Sequence, residues 1–366
     1  MNKECKFGYH EAISSIVITI SIRAFFTSAG RVVEMVGTAG WYMTLISAAV
    51  ASFLFLFMYL LLKRFPRKNI MQINDIVLGK WAGSILSFIL GFFLLIIIAI
   101  NFREFTEVLK IYVLPDSPPS FIMIIFMLGV VIQTFMGLET IVRYAKFVVY
   151  MLLAGYIFVI LLSVQNFKPT QLLPILGNGL DKTIINGFLR CSFYGDVIIV
   201  GIIALSLQGP QEIKKIGFGS ILISGLVASS SLLAFGLVFP YITAQELTSP
   251  MYEMASLIDY GGFLKHMDPI FLFLWNFGSF IEVSLLFYCS ILVYCHVFRI
   301  TDYRPVIIPM ATLLYSISLI PRGISEVIGK YVEVIRSWGW VIYFVPSIAI
   351  LIIAAIRKKK GESENA

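Results

Sequence analysis

Charge is scarce in this sequence. Of its 366 residues only 13% are Asp, Glu, Lys or Arg, whereas 59% are hydrophobic. A soluble domain has nowhere to bury that much apolar surface, so the shortage of charge excludes a soluble fold and makes lipid the solvent. Histidine and cysteine are also few, at three and four. The histidines are scattered. Cys5, Cys191, Cys289 and Cys295 show neither metal nor disulfide spacing, and Cys289 and Cys295, on one apolar segment, read as packing thiols. No nucleophile–base pair, phosphate loop or metal cluster stands out. Gly217-Phe218-Gly219 is too short for a nucleotide fingerprint and opens an apolar run. Catalytic residues, a cofactor and a metal are therefore not expected. Nor is nucleic acid: the net charge of +7 lies in short loops and in the tail Arg357-Lys358-Lys359-Lys360, the pattern that fixes a membrane protein's orientation.

What the sequence does have is long apolar runs. About 20 apolar residues cross the hydrocarbon core. Such windows predict ten spans near 10–35, 41–62, 82–110, 119–136, 140–163, 184–208, 216–239, 267–298, 305–320 and 338–356. The start, Lys3 and Lys6 before an apolar run and Thr27-Ser28-Ala29, resembles a signal peptide, but Arg23 interrupts the run and a first span is expected instead. The longest loops fall near 64–80, 164–182, 240–265 and 321–337, and the last three mix charge, Gly and Pro in a way that suits short surface helices. With the N-terminus inside, 17 of the 28 Lys and Arg residues fall on the cytoplasmic side and eight outside, the latter including Arg322, Lys330 and Arg336. Both termini are thus expected in the cytoplasm. The whole chain, 1–366, reads as one polytopic membrane domain with a basic tail at 357–366.

Three ionisable residues stand near the middles of spans: Arg23 in the first, Asp196 in the sixth and Glu282 in the eighth. A charge at that depth costs at least ~2.5–3.5 kcal/mol, so it faces a partner or a watery cavity. In Phe193-Tyr194-Gly195-Asp196 a glycine beside the acid suits unwound backbone; near Arg23 only Ser, Ala and Gly30 weaken the helix. If ten spans are two halves of five, about 9–163 and 183–356, then spans one and six occupy equivalent places, as do three and eight. Inverted-repeat transporters bind at the midplane between such broken helices. Arg23 would pair with Glu282 by preference and with Asp196 second, or line a ligand or ion cavity, or serve only a structural ion pair. Arg103 and Glu107, four apart in Asn101-Phe102-Arg103-Glu104-Phe105-Thr106-Glu107, share a helix face and read as structural. Arg190 calls for an acid that the sequence does not identify.

Several ordered segments carry a resemblance: Gly40-Trp41, Lys63-Arg64-Phe65-Pro66, Arg103 to Lys110, Gly137-Leu138-Glu139-Thr140-Ile141-Val142-Arg143, Leu173 to Leu180, Trp275, and Asp302-Tyr303-Arg304. Together, in this order and spacing, they resemble the spore germination permease family, the membrane-embedded B subunits of endospore nutrient germinant receptors, within the amino acid–polyamine–organocation transporter superfamily. The resemblance implies an all-α membrane protein of about ten helices with a LeuT-like five-plus-five inverted repeat. It implies a germinant pocket at Arg23, Ala24, Phe25, Ile97, Tyr194, Gly195 and Glu282, with Asp196 beside them. The family commonly has Gly-x-Gly where this chain has Arg23-Ala24-Phe25, and its span-six acid two residues after the glycine rather than directly after it.

The function so implied is nutrient sensing, most naturally of an amino acid, together with an A-type membrane subunit and a C-type lipoprotein subunit in the inner membrane of the endospore. An amino-acid or cation transporter of the same fold is the alternative, and a subunit whose filled pocket binds nothing is a third. Fold alone does not decide among them.

Overall fold

The structure, a computed structural model, describes residues 7–24, 29–247, 249–261, 264–265 and 267–361. Hydrophobic runs become helices because lipid leaves backbone N–H and C=O groups no partner but each other. Span one starts as Tyr9–Ser21, in which Ser14, Ser15 and Thr19 return their hydroxyls to carbonyls of the preceding turn. The α-helix stops at Ser21, a 3-10 turn covers Ile22–Ala24, and helix resumes at Ala29–Val36. The α-helical pattern thus gives way to 3-10 backbone at Arg23, where only small residues signal a change. Gly37 (φ 67°) then turns the chain into span two, Gly40–Arg64.

Spans three, four and five are Lys80–Tyr112, Pro119–Met136 and Leu138–Ser163. Gly137 (φ 92°) alone joins the last two, a one-residue turn in the left-handed half of backbone space that favours glycine. Span six is broken like span one: Leu180–Leu189, then 3-10 backbone over Arg190–Ile198, then a short turn Ile199–Ile202. Span seven is Pro210–Val238, span eight Asp268–Phe298, and span nine Arg304–Ser318, with Pro309 inside it. Eight helical stretches among the described residues are long and apolar enough to cross a bilayer. Among the described residues, the first pass offers Tyr9–Ala24 and the ninth only the 15 residues Arg304–Ser318, both under that length.

Two boundaries differ from expectation. Span ten begins at Ile324, not near 338, and runs to Ile356 through a π-helical turn at Val327–Val332. Its charges made this stretch look like a loop, but Glu333 and Arg336 turn inward. Arg336, expected outside, is buried. The loop at 64–80 holds a helix, Ile70–Leu78, that its basic flanks conceal. Asn69 caps it, accepting from the Gln72 N–H at 2.9 Å while Gln72 Oε1 accepts from the Asn69 N–H at 3.2 Å. The 240–265 loop contains the expected short helices, Tyr241–Glu246 and Pro250–Ser256, and also a two-residue antiparallel strand pair.

Span one packs against spans five, seven and eight, span three against span eight, and span two against span seven, with span ten against the broken part of span six. One end of the bundle gathers Lys146 with Glu11 (2.6 Å) and Arg64 with the carbonyls of Ala354 and Lys359. The opposite end joins Thr38 and Tyr42 to the carbonyls of Pro174 and Ile175. Loops expected on one side of the membrane thus meet at one end. Cys191, Cys289 and Cys295 are buried free thiols.

Candidate functional site

The two broken spans bring their charges together. Arg23, on the 3-10 turn of span one, donates from Nη2 to Asp196 Oδ2 on span six, and its Nε lies 3.2 Å from Glu282 Oε1 on span eight without hydrogen-bond alignment. The side chains are 9%, 0% and 5% exposed. The order of partners is the reverse of the expected one: Asp196 takes the direct bond and Glu282 stands second. Directly after Gly195, Asp196 sits on 3-10 backbone rather than α-helix, and its carboxylate comes within reach of the guanidinium.

Three neighbours complete this network, and none was singled out from the sequence. Asn101 on span three donates to Glu282 Oε1 at 2.8 Å. Tyr343 on span ten donates its hydroxyl to Asp196 Oδ1 at 2.9 Å. Phe193 lies under the Arg23 guanidinium, 5.8 Å from its centroid, within cation–π range. Gly195 has a clear reason to be glycine: a Cβ there would fall 2.1 Å from the Tyr343 ring. The close approach of that ring keys span ten into the break of span six.

The remaining expected site residues separate. Ala24 and Tyr194 line a cavity, with the Tyr194 hydroxyl bound to the Thr44 carbonyl at 3.1 Å. Ile97 lies in the hydrophobic core and on neither of the cavities described next. Phe25 lies outside the described residues. Arg190 finds its acid in Glu333 of span ten, at 2.6 and 2.9 Å from the two carboxylate oxygens. Arg103 and Glu107 pair at 2.8 Å, and both are buried rather than exposed.

Two narrow cavities flank the network. One, of about 30 Å³, is lined by Ala24, Thr44, Arg190, Phe193, Tyr194 and Arg336, among others. The other, of about 20 Å³, lies between spans one, three and eight against Arg23, Asn101, Glu104, Trp275, Ser279 and Glu282. Each holds little more than a water molecule. Each is also edged by a buried charge without a close partner. Glu104 Oε1 makes no hydrogen bond. Arg336 stacks on the Phe193 ring at 5.6 Å, and among the described residues no carboxylate stands within 4.0 Å of it. Neither residue had been noted as a candidate. Glu104 sits between the more conspicuous Arg103 and Glu107, and Arg336 lies in what reads as a loop.

Ten helical passes among the described residues, with buried charges meeting where the first and sixth leave the α-helical pattern, define a polytopic membrane fold. MhsT in complex with L-phenylalanine superposes on this chain with a TM-score of 0.67 at 14% identity, over 98% of this chain and 91% of that one. Mhp1, a nucleobase-cation-symport-1 family transporter in a closed conformation with bromovinylhydantoin bound, gives 0.65 at 14% identity over 91% and 78%. The chain has their LeuT-like fold. Within that class the sequence model described as "spore germination protein" matches residues 9–327, and the chain belongs to that spore germination permease family. Spore germination protein KB of Bacillus subtilis (strain 168) is 24% identical over 337 residues, 91% of this chain and 90% of that protein. Spore germination protein B2 of the same organism is 18% identical over 364 residues, 99% and 98% of the two chains.

Proposed function

We propose that this chain is the nutrient-binding membrane subunit of a spore germinant receptor, that its ligand is an amino acid, and that it signals through an A-type membrane subunit and a C-type lipoprotein in the spore's inner membrane, with both termini on the core side. It carries out no catalysis. Family membership and full-length likeness to germination proteins support the setting. The orientation rests on the cation distribution, and labelling of a cysteine in the 64–80 loop from outside would contradict it.

The observation that carries the ligand class is the presence, beside the 3-10 segments of spans one and six, of two buried charges of opposite sign with no bonded counter-ion among the described residues, Arg336 and Glu104. Burying an unpaired ion in a low-dielectric interior is strongly unfavourable. An amino acid carries the complementary groups: a carboxylate for the planar guanidinium of Arg336 and an ammonium for Glu104. Arg23 is already neutralised by Asp196 and Glu282, so it holds the broken spans in place around the ligand rather than binding it. Binding draws spans six and ten onto the ligand, and that movement is the signal.

The test is genetic and chemical together. Deleting the gene abolishes germination in response to one amino acid, and the protein co-purifies with products of flanking genes for a soluble-domain membrane protein and a lipoprotein. The transporter fold favours a second reading, amino-acid or cation uptake. A solitary gene expressed during growth, with solute accumulation in proteoliposomes, would establish uptake instead.

A further inference from the structure

A further cavity touches the charged network only at Tyr343. Between span three, span ten and the helix Ile70–Leu78 there is a cleft of about 350 Å³. Its walls include Leu86, Ile89, Leu90, Pro346, Ala349 and Ile350 and are apolar apart from Asn74, Tyr343 and Ser347. Ile89, Val341 and Val345 are exposed at its rim, so it opens sideways to the hydrocarbon of the bilayer rather than to water.

One mouth of this cleft carries a concentrated positive charge. Lys80 and Trp81 begin span three there, Trp81 being 88% exposed, and a Lys–Trp pair of this kind marks the headgroup level. At 1.5 Å per residue, Leu86 to Leu90 lie about 9–15 Å deeper, at acyl-chain depth. The basic tail does not trail away from this point. Lys358 adopts φ 51°, the Lys359 N–H returns to the Ala354 carbonyl at 3.0 Å, and the Gly361 N–H reaches the Arg64 carbonyl at 3.1 Å. Arg357 and Lys359 donate to the carbonyls of Val77 and Ile76 at 2.9 and 2.6 Å, on the helix that forms one wall of the cleft. Those bonds leave the cationic charges in place. Among the described residues no carboxylate lies within 4.0 Å of Lys80, Arg357, Lys358, Lys359 or Lys360.

We infer that this cleft is a binding site for an anionic phospholipid, with an acyl chain between spans three and ten and the phosphate on Lys80 and the folded-back tail. The charge selects the headgroup, and the apolar walls take the chain. Occupancy bears on the charged network through one residue. Tyr343 lines the cleft with part of its ring, while its hydroxyl holds Asp196.

The probes are phosphatidylglycerol and phosphatidylcholine, offered in equal amount to the purified full-length protein, with retained lipid counted by native mass spectrometry. The unaltered protein retains phosphatidylglycerol at least fivefold over phosphatidylcholine. Leu86→Trp and Ala349→Phe, which fill the cleft, lower that retention at least fivefold, whereas Ile308→Trp, on the exposed face of span nine, leaves it unchanged. Lys80→Gln combined with Arg357→Gln brings the preference close to one and leaves the cleft open, so this arm decides even if the filling variants fail to fold. Equal retention of both lipids by the unaltered protein would overturn the inference. So would undiminished retention in folded cleft-filling variants, or an unchanged preference in the double glutamine variant.

Discussion

Arg23 and Arg336 both bring a guanidinium against the same ring, 5.8 and 5.6 Å from the centroid of Phe193, and both are largely removed from solvent. Their surroundings differ. Arg23 bonds Asp196, has Glu282 at 3.2 Å, and through these acids engages Tyr343 and Asn101. Arg336 has the ring and no acid within 4.0 Å among the described residues. A satisfied buried charge fixes geometry; one without a bonded counter-ion, at a cavity, suits a ligand of opposite sign. Under the proposed function, assembly falls to one arginine and recognition to the other.

The largest expected effect separates them on assembly. Arg23→Ala leaves Asp196 and Glu282 buried without their cation, and should destabilise by ~3–5 kcal/mol, enough to deplete the folded protein from membranes. Asp196→Ala should do comparable harm. The double variant should be milder than the sum, with a coupling above ~0.5 kcal/mol in thermal melts. Additive effects would break the assignment of Arg23 to assembly. Next comes the key between spans six and ten. Gly195→Ala drives a methyl into the Tyr343 ring and should cost ~1–3 kcal/mol. Tyr343→Phe, which leaves Asp196 Oδ1 unbonded, falls in a similar ~1–3 kcal/mol range. If Tyr343→Phe is neutral, the network ends at Arg23 and span ten is not part of it. Arg103→Gln leaves Glu107 without its cation, but that acid borders an open cleft, so the cost should be ~1–3 kcal/mol, read as lower abundance without a change of ligand preference. A changed preference at normal abundance would move that pair into the site. Smallest of all, Arg336→Gln removes a buried cation that has no bonded acid, so its melting point should stay put or rise slightly.

The same contrast explains what the sequence reveals. Arg23, Asp196 and Glu282 interrupt long apolar runs, where a charge is rare enough to be conspicuous, and the structure brings these three together. The ten passes were legible for the same reason: lipid imposes length and hydropathy on each. Arg336 and Glu333 were hidden because Gly329-Lys330-Tyr331-Val332-Glu333-Val334-Ile335-Arg336 has the composition of a loop. Only tertiary packing against Arg190 and Phe193 turns its charges inward. Tyr343 looks like any interfacial aromatic until its ring is seen on Gly195. The structure reverses the expected ranking of partners for Arg23 because 3-10 backbone at Gly195-Asp196 sets the reach of that carboxylate, and α-helical spacing does not describe it.

The most direct test is amino-acid binding to the purified chain, read as ligand-induced thermal stabilisation across the standard amino acids. The account predicts that one or a few amino acids stabilise the unaltered protein. Arg336→Gln should melt normally without ligand yet lose at least tenfold in apparent affinity, and Glu104→Gln should lose affinity for the same ligand. Undiminished stabilisation of Arg336→Gln by that amino acid would contradict the account and remove Arg336 from recognition.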